Sequence, residues 1–572
     1  MCARRTRALS TCGSFEYVAE MWTRATGAVW VATAALAACG DNRANLGNTA
    51  GSTALAGSTS AGGAGTGGTF VAPNNGGSAG GAGSGGTMLA GGGSSTLAGV
   101  AGVSMDGGAA GESGEGGAPT ASAGEAGLAG EGGVPAAGGS GGSQAEAGAG
   151  GAGLTVETLL IGDVWSGHPV PFHLLTRGDR QFAAFYDTNR ALTIATRRLG
   201  ESTFSFTRLP STLGWDSHNS VVMAIDDDGY IHVSGNMHSS PLNYFRSDNP
   251  LDIGSFTKMS MVGTNENSCT YPQFYRSPSG ELVFIYRSGS SGNGNHIFNA
   301  YTLATKSWRR LLASPLTDGE GQRNAYPVGP VQGPDGFFHM VWVWRDTPDA
   351  ATNHDLSYAK TADLLSWQSA PGAALALPIR LSTGDIVDPV PSGGGMINNN
   401  TKIGFDSEKR PIVAYHKFDA NGFTQLYNAR FENGSWVRYK TSNWTYRWAF
   451  GGTGTLIFEI EVEPVELQPD GTLTQNWYHS RYGGLGALRL NPDTLAAEEQ
   501  IPRPTPYPPE LGMVESTTAG MQVRWQADAG EGPDPDVLYM LRWETLPSNN
   551  DQPRSTIPPA TPLRLYGFRV QR

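Results

Sequence analysis

The chain has 572 residues, of which 16% are charged and four are cysteines, and its formal net charge is −12. This charge balance argues against a nucleic-acid-binding protein, which would normally present a basic face. An anionic substrate fits the composition only if basic side chains gather in a local pocket. Cys269 is the single cysteine after residue 39, so the C-terminal part has no disulfide framework or cysteine-based metal cluster.

Residues 1–38 have the features of an export signal, and Met21 is a more ordinary signal start than Met1. An apolar run at residues 27–38 is too short to cross a bilayer as a helix. The run leads into L-A-A-C at residues 36–39, which resembles the lipobox of bacterial lipoprotein signal peptides. We therefore predict cleavage before Cys39, lipidation of its thiol, and an exported bacterial lipoprotein anchored at the outer membrane or cell surface.

Residues 39–153 form a segment rich in glycine, alanine and serine. Forty of the 80 glycines lie between positions 40 and 153, and Phe70 is the one aromatic residue there. A segment with so little apolar bulk cannot offset the entropy lost on ordering it. The composition therefore predicts a disordered tether, which suits a domain held at a membrane through Cys39.

Residues 154–572 carry the features of a folded domain, with 12 of the 14 tryptophans and all 10 histidines. Alternating apolar and polar residues, bounded by Gly, Asp, Asn and Pro, predict an all-β fold. A turn followed by an apolar strand recurs near residues 179, 229, 280, 336, 410, 471 and 520. This spacing fits four strands per repeat and predicts a seven-bladed β-propeller, with a pair of β-sandwiches as the alternative. We expect the last strand, near 563–570, to pair with the first, near 155–161, and close the ring.

The repeated strands end in polar or charged residues. These residues are Asp187, His238, Arg287, Arg345, His416 and His479. If the strands are equivalent, their ends lie near one face of the ring, and that rim is rich in histidine and arginine. Each residue alone is explained as a polar group at a strand end, but the six together favour a functional site.

The densest chemistry lies in four segments, at residues 214–220, 227–247, 270–274 and 286–295. His218 and His238 are twenty residues apart, and Tyr271 and Arg287 are sixteen apart. With these residues the chain resembles the seven-bladed propeller polysaccharide lyases that cleave ulvan-type polymers, and their BNR repeat-containing relatives. The resemblance covers nearly all of residues 154–500 and includes the later stretches 342–360, 414–419 and 446–454.

The resemblance implies β-elimination of a uronic-acid-containing, rhamnose- and glucuronate-type polysaccharide. Arg287 is the implied neutraliser of the uronate carboxylate, because its planar guanidinium matches a carboxylate. Tyr271 is the implied proton-transfer residue and needs nearby positive charge to ionise. His218 and His238 would share substrate polarisation and acid–base work, and which of them is the base stays open.

Structural roles for some of these residues remain alternatives. His218 lies in a turn whose Asp, Ser and Asn neighbours also form local hydrogen bonds. Tyr271 precedes a proline and can be an extended strand residue that packs on its blade. His232 and His339 occupy equivalent positions in D-G-Y-I-H and D-G-F-F-H, which favours a structural role for both.

Further candidates for substrate contact are Asn219, Arg246, Trp344, Arg345 and His416. Most tryptophans are expected to pack between sheets, and Trp344 is the one expected to stack on a sugar. The elimination requires no cofactor. Some relatives carry a structural metal, and for a zinc or calcium ion here His354 and His416 are the conceivable ligands.

The sequence thus predicts a monomeric polysaccharide lyase whose partner is an anionic polysaccharide. Membrane contact would occur only through the lipid anchor, and no nucleic acid is expected to bind. A rhamnosidase-like glycoside hydrolase on the same propeller is the first alternative. A non-catalytic carbohydrate-binding propeller is the second, because a fold does not decide what its site does.

Overall fold

The structure, a computed structural model, describes residues 154–503 and 505–569. The predicted signal segment, Cys39 and the rest of residues 39–153 lie outside the described residues. Within the described ranges there are 30 strands and three short 3-10 helices, Leu303–Thr305, Ala350–Thr352 and Pro509–Gly512. No helix in these ranges has the length and apolar composition needed to cross a membrane. The predicted all-β class is confirmed.

The strands of the first half, in chain order, are β1 (Leu154–Val164), β2 (His173–Arg177), β3 (Arg180–Tyr186), β4 (Ala191–Arg198), β5 (Ser205–Thr212), β6 (Val221–Ile225), β7 (Ile231–Gly235), β8 (Tyr244–Ser247), β9 (Phe256–Lys258), β10 (Cys269–Arg276), β11 (Leu282–Ser290), β12 (Asn293–Thr302) and β13 (Ser307–Arg310). The next strands are β14 (Asn324–Gln332), β15 (Phe338–Arg345), β16 (Asn353–Thr361), β17 (Trp367–Gln368), β18 (Ala374–Leu375) and β19 (Asp385–Asp388). The remaining strands are β20 (Lys402–Phe405), β21 (Pro411–Phe418), β22 (Thr424–Glu432), β23 (Ser435–Lys440), β24 (Ile460–Leu467), β25 (Leu473–His479), β26 (Gly484–Leu490), β27 (Ala497–Ile501), β28 (Gln522–Ala527), β29 (Val537–Thr545) and β30 (Thr561–Arg569).

Consecutive strands pair antiparallel into small sheets. Four sheets each contain four strands that are consecutive in the chain: β2–β5, β6–β9, β20–β23 and β24–β27. A ten-stranded sheet holds β10–β19, and its two halves join through one parallel pairing, Gly294 opposite Asn324. The last sheet has the order β1-β30-β29-β28, with Leu159 of β1 opposite Leu565 of β30. The predicted pairing of the first strand with the last is therefore confirmed.

The hydrophobic core lies between neighbouring sheets. One cluster combines Ala224 and Tyr244 of the β6–β9 sheet with Tyr286 and Trp308 of the next sheet. β15 is buried along its whole length, as expected for a strand covered on both faces. Face-to-face packing of successive antiparallel sheets is the arrangement that propeller blades use.

The two equivalent repeat histidines have the predicted structural role. The ring of His232 is fully buried and bonds the Tyr244 hydroxyl at 2.8 Å and the Asp226 carboxylate at 3.3 Å. The ring of His339, equally buried, makes the corresponding bond to the Tyr358 hydroxyl at 2.6 Å. The same sequence position thus carries the same internal hydrogen bond in two sheets.

Candidate active site

One carboxylate joins the two predicted histidines. Asp216 lies in the loop between β5 and β6, two residues before His218, and its Oδ1 is 2.7 Å from His218 Nδ1. Its Oδ2 bonds Nδ1 of His238, which lies in the loop between β7 and β8. The two imidazole rings are therefore neighbours, with centroids 4.1 Å apart. Because both Nδ1 atoms bond Asp216, Nε2 is left as the proton acceptor of each neutral ring.

This arrangement sets the charges of the group. Burial would raise the pKa of Asp216, but hydrogen bonds and charge from His218 and His238 hold that pKa well below its usual range. Burial lowers the pKa of His238 more than its bond to Asp216 raises it, and Arg287 adds to the lowering. At neutral pH the group therefore contains an ionised Asp216 and a neutral His238.

Two side chains from distant parts of the chain also reach His218. The Thr455 hydroxyl lies 3.2 Å from His218 Nδ1, and an Asp551 carboxylate oxygen lies 3.6 Å from the same atom. Asp551 also accepts the backbone N–H groups of Ser217 and Thr455, at 2.9 and 2.7 Å. The loop between β29 and β30 thereby holds the β5–β6 loop, which carries Asp216 and His218.

Tyr271 enters the site through a distortion of β10. The register of β10 against β11 shifts between Thr270 and Gln273, and Tyr271 in this bulge has φ 58°. Bulky residues rarely adopt this left-handed conformation, which costs about 1–3 kcal/mol. Its half-buried ring stands 5.8 Å from that of His218, centroid to centroid. The structure therefore does not bear out the alternative of an ordinary extended strand residue.

The phenol of Tyr271 is neutral in the resting protein. Burial raises its pKa above the usual value and Tyr326 adds to this, while the charges of Arg287 and Arg345 lower it. A tyrosine needs nearby positive charge to ionise, and two guanidinium groups are there. Burial nevertheless outweighs their effect, so Tyr271 is a proton donor before substrate binds.

Arg287 is a buried cation without an acidic partner. It lies within β11, is 1% exposed, and its Cζ lies 5.1 Å from the centroid of the Tyr271 ring. Its Nη2 donates to the hydroxyls of Thr270 and Ser239, at 2.8 and 3.1 Å. Among the described residues no carboxylate forms an ion pair with it, and its Nε–H has no acceptor. An uncompensated buried charge is costly, and an anionic ligand would relieve that cost.

Arg345, at the end of β15, is a second cation of this kind. Its Cζ lies 5.6 Å from the centroid of the Tyr326 ring, which also contacts Arg287. Its Nε donates to the backbone oxygen of Thr347 at 3.0 Å and its Nη1 to Asn398 Oδ1 at 3.4 Å. It makes no ion pair within the described part of the chain. Two cations therefore flank the tyrosines in a protein whose net charge is −12.

Part of this cluster borders a cavity of about 480 Å³. His218, Tyr271 and Arg345 line it together with side chains of β24 and β28. Glu461 of β24 is one of these, and burial together with the neighbouring Glu463 raises its pKa to about 8. The volume is in the range of pockets that hold small ligands or part of a polymer chain.

Two predicted substrate contacts are contradicted by burial. Trp344 has no exposed surface, and its indole N–H donates to Ser357 Oγ at 3.0 Å, so no ring face is free for a sugar. His416 is equally buried, with its ring 5.3 Å from that of Trp448, and burial lowers its pKa to about 3. Both residues lie on strands covered on two faces, a property that a strand-end position in the sequence does not reveal.

Other predicted residues lie apart from the histidine pair or contribute only backbone. Arg246 Nη1 donates to the Tyr301 hydroxyl and the Lys306 backbone oxygen, at 3.2 and 2.8 Å, and so holds the next sheet. Asn219 follows His218 directly, and its backbone oxygen accepts the Tyr186 hydroxyl at 2.7 Å.

The two residues proposed as metal ligands do not share a site. His354 bonds Asp346 through Nε2 at 3.0 Å and Asp355 through Nδ1 at 2.7 Å, so both of its nitrogens are occupied. His416 is in the core and bonds neither of these carboxylates. In the described ranges, the side chains of metal-ligand type that come close together in a group of three are Asp216, His218 and His238. A metal ion there would compete with the Asp216–histidine hydrogen bonds.

The sequence reasoning missed several residues of the site. Asp216 was noted only as a turn residue, although a carboxylate two residues before a candidate histidine is a usable signal. Tyr326, whose hydroxyl bonds Ser291 at 2.6 Å, carried no motif. Thr455 and Asp551 are reachable only through the tertiary structure, because they follow His218 by more than two hundred residues.

Together, the fold and this cluster define a class: a protein of packed antiparallel sheets with a cavity lined by histidine, tyrosine and arginine. Residues 180–444 match the family model described as a BNR repeat-containing family member. A 65-residue segment, 11% of this chain, is 37% identical to the ulvan lyase, short isoform, of Alteromonas sp. (strain LOR). That segment spans 12% of the ulvan lyase's own length. The predicted resemblance to ulvan lyases and their BNR repeat-containing relatives is confirmed.

Solved structures with a similar arrangement include an ulvan lyase of polysaccharide lyase family PL25, both alone and bound to -[GlcA(1-4)Rha3S]-. It is 13% identical, with 73% of this chain and 96% of that chain covered, at a TM-score of 0.48. The polysaccharide lyase Uly1 is also 13% identical, with 70% and 90% covered, at a TM-score of 0.47.

Proposed function

We propose that this protein is a polysaccharide lyase that cleaves a uronic-acid-containing polymer by β-elimination. The observation that carries the proposal is the buried, acid-free Arg287 lying 5.1 Å from the ring of Tyr271. A cation held in this way suits a carboxylate ligand, and the neighbouring tyrosine and histidines supply proton transfer. The match to a BNR repeat-containing family and the short segment shared with an ulvan lyase support the same class of substrate.

In the reaction a base removes the proton at C5 of the uronate. The C5–H electrons form the C4=C5 double bond, the bond from C4 to the glycosidic oxygen breaks, and that oxygen takes up a proton. Negative charge accumulates on the uronate carboxylate as the C5 proton leaves. Arg287 and Arg345 are the cations that would stabilise this charge, in a site where fixed positive charge already exists before substrate arrives.

We assign the base to His218 and the acid to Tyr271. Nδ1 of His218 is surrounded by Asp216, Asp551 and Thr455, so Nε2 is the ring nitrogen left to take a proton from substrate, and His218 lines the cavity. Tyr271 is neutral and can give its proton to the departing glycosidic oxygen. His238, bonded to the other oxygen of Asp216, orients the same carboxylate.

We also infer a seven-bladed propeller exported as a lipoprotein. The strand order supports seven units if the ten-stranded sheet is divided at its single parallel pairing: six units then have four strands, and the unit of β14–β19 has six. The export signal at residues 1–38 and lipidation at Cys39 rest on the sequence pattern. Treatment of bacteria expressing the gene with a lipoprotein signal peptidase inhibitor should leave an uncleaved precursor, and Cys39→Ser should do the same.

The lyase is tested on uronate polymers, including ulvan, by following ultraviolet absorbance and reducing ends in the same reaction. A lyase produces ultraviolet absorbance from the unsaturated uronate together with new reducing ends. Reducing ends without absorbance would indicate a hydrolase, and binding without either product would indicate a carbohydrate-binding protein.

The hydroxyl of Tyr271 provides the sharpest variant for this assay. We expect Tyr271→Phe to lower the rate of absorbance increase by about 10²-fold or more, because it removes the proton donor. Tyr482→Phe is the matched control, since Tyr482 is exposed and its hydroxyl accepts only surface donors from Thr445. An unchanged rate in Tyr271→Phe would remove Tyr271 from the mechanism.

A hydrolase is the second candidate because Glu461 and Glu463 line the same cavity. Hydrolases commonly use two carboxyl groups, one protonated near neutral pH. The pKa of Glu461 is raised to about 8, as that role would require. Loss of reducing-end release in Glu461→Gln, with Tyr271→Phe fully active, would favour this candidate over the lyase.

A further inference from the structure

A second cationic group stands beside the loop that carries Asp216 and His218. Arg190, in the turn between β3 and β4, places its guanidinium carbon 4.2 Å from the ring centroid of Trp165 and 4.8 Å from that of Trp215. The two indoles meet at 76°, so the guanidinium sits in the corner between them. Trp215 directly precedes Asp216, which links this corner to the histidine pair.

The guanidinium of Arg190 has no polar partner among the described residues. The acid of its own turn, Asp187, bonds Arg208 and the backbone N–H groups of Asn189 and Ala191 instead. Burial slightly lowers the pKa of Arg190, which stays charged because arginine titrates far above neutral pH. Its N–H donors are therefore available to a ligand.

The imidazole that packs on the two indoles carries no charge at neutral pH. The ring of His168 packs on Trp215 and Trp165, with centroids 5.5 and 5.9 Å away, and Trp165 Nε1–H donates to His168 Nδ1 at 3.0 Å. Burial lowers the pKa of His168 to about 4, so the ring is neutral under ordinary conditions. Arg190 is then the cation of this corner.

The backbone at Arg190 indicates that the side chain has a role of its own. Its φ is 62°, a left-handed conformation that glycine or asparagine would adopt with less strain. Its guanidinium stacks on the two indoles, but its N–H donors have no acceptor among the described residues, so holding the turn does not use them. The placement is understandable if the guanidinium binds something from solution.

We infer that Arg190, Trp165 and Trp215 form a subsite for the anionic group of a sugar residue next to the one that is cleaved. The group is a sulfate ester or a carboxylate, because the edge of a guanidinium stacked on an aromatic ring presents paired N–H donors to an oxyanion. Trp215, which is half-buried, offers apolar surface to the same sugar. The inference rests on the proposed function and names a further contact of the same substrate.

The test is affinity electrophoresis of the full chain through gels that contain native ulvan or chemically desulfated ulvan. Arg190→Gln and Arg190→Gly should bind native ulvan about tenfold more weakly, because each loses a charged contact. Arg198→Gln is the matched control and should bind like the parent protein. Arg198 ends the strand that follows Arg190, is 53% exposed, and pairs with Asp179 at the far end of β4.

The desulfated polymer identifies the anion. If the Arg190 variants match the parent protein on desulfated ulvan but bind native ulvan more weakly, the ligand is a sulfate. If the deficit persists on both polymers, the ligand is a carboxylate. Equal binding of parent and variants on both polymers overturns the subsite. Arg190→Gly relieves the strained turn, which offsets the lost stacking on the indoles, so its melting temperature should stay near that of the parent, and weaker binding then reflects the lost cation.

The outcomes separate this inference from the lyase itself. Arg190-dependent binding of ulvan without cleavage of any uronate polymer would leave the subsite standing and remove the lyase. Cleavage of ulvan with unchanged binding and KM in Arg190→Gln would leave the lyase and remove the subsite. Failure of the parent protein to bind either polymer would overturn the subsite, while cleavage of another uronate polymer in the lyase assay would still support the lyase.

Discussion

Deeply buried arginines occur in two settings in this molecule. Arg430 and Arg542 are 2% and 1% exposed, and each forms an ion pair with a buried carboxylate, Asp406 at 3.2 Å and Glu544 at 3.1 Å. Arg287 is 1% exposed but donates only to hydroxyl groups. The first two hold a sheet to its own loops, whereas the third borders the tyrosine and histidine cluster.

This difference shows that burial alone does not reveal whether an arginine stabilises the fold or binds a ligand. A buried charge is tolerated when a fixed opposite charge and hydrogen bonds replace the water it has lost. Arg430 and Arg542 have that replacement within the protein, so their contribution is to folding. Arg287 lacks it, and a ligand carboxylate would complete its environment, so its contribution is to binding and catalysis. The two settings make opposite predictions for stability and activity.

The largest expected effect is a loss of stability when a buried arginine that is paired with a carboxylate is replaced. Arg430→Gln should lower the free energy of unfolding by about 3–5 kcal/mol, because it removes the buried cation between Asp406 and Glu432 and its donors to the backbone oxygens of Pro492 and Asp493. Denaturant unfolding measures this loss. The activity per folded molecule should not change. An unaltered unfolding midpoint would mean that the Arg430 ion pairs are not the structural element described above.

The converse effect is expected at Arg287. Arg287→Gln should lower kcat/KM by about 10²- to 10³-fold, the usual consequence of removing one group that stabilises developing negative charge. Its unfolding free energy should change by less than about 1 kcal/mol, since no carboxylate loses a partner. Arg287→Lys keeps the charge and should recover part of the rate. A large loss of stability with normal kinetics would place Arg287 with the structural arginines.

Asp216 extends the comparison to a carboxylate shared by two histidines. Asp216→Asn should lower kcat by about 10- to 100-fold, because the amide no longer fixes both imidazole orientations. The hydrogen bond and charge of Asp216 raise the pKa of His238 against the effect of burial, so their loss moves that pKa further down. Histidine NMR titration should show His238 losing its proton at lower pH in the variant. An unmoved titration curve would contradict the shared bond.

The effect that is smallest per pH unit concerns Glu461, whose buried carboxyl group is not fully neutralised by neighbouring cations. Burial and Glu463 raise its pKa to about 8, while in an unfolded chain a glutamate titrates at about 4.3. Between these values the native state keeps a proton that the unfolded state has lost, so stability falls as pH rises. Glu461→Gln should reduce this fall by about 1.4 kcal/mol for each pH unit between about pH 5 and 8. Glu408→Gln is the control, because Glu408 is 68% exposed in its ion pair with Arg410.

The sequence identified four residues that the structure brings into one cluster: His218, His238, Tyr271 and Arg287. They were recognisable because they lie at strand ends and loops in a spacing that resembles a known family. Trp344 was recognised by the same strand-end position and is buried. A position at a strand end therefore predicts which face a residue is near, but not whether its side chain meets solvent or a neighbouring sheet.

The sequence by itself determined the all-β class, the pairing of the first strand with the last, and the shared role of His232 and His339. These properties follow from alternation of apolar residues and from turns, which depend on neighbours along the chain. The tertiary structure alone decided that Asp551 and Thr455 reach His218, and that Arg287 has no acidic partner in the described part of the chain. Those properties depend on which distant loops meet. The burial of a side chain and the presence of an opposite charge beside it are decided only when these loops come together.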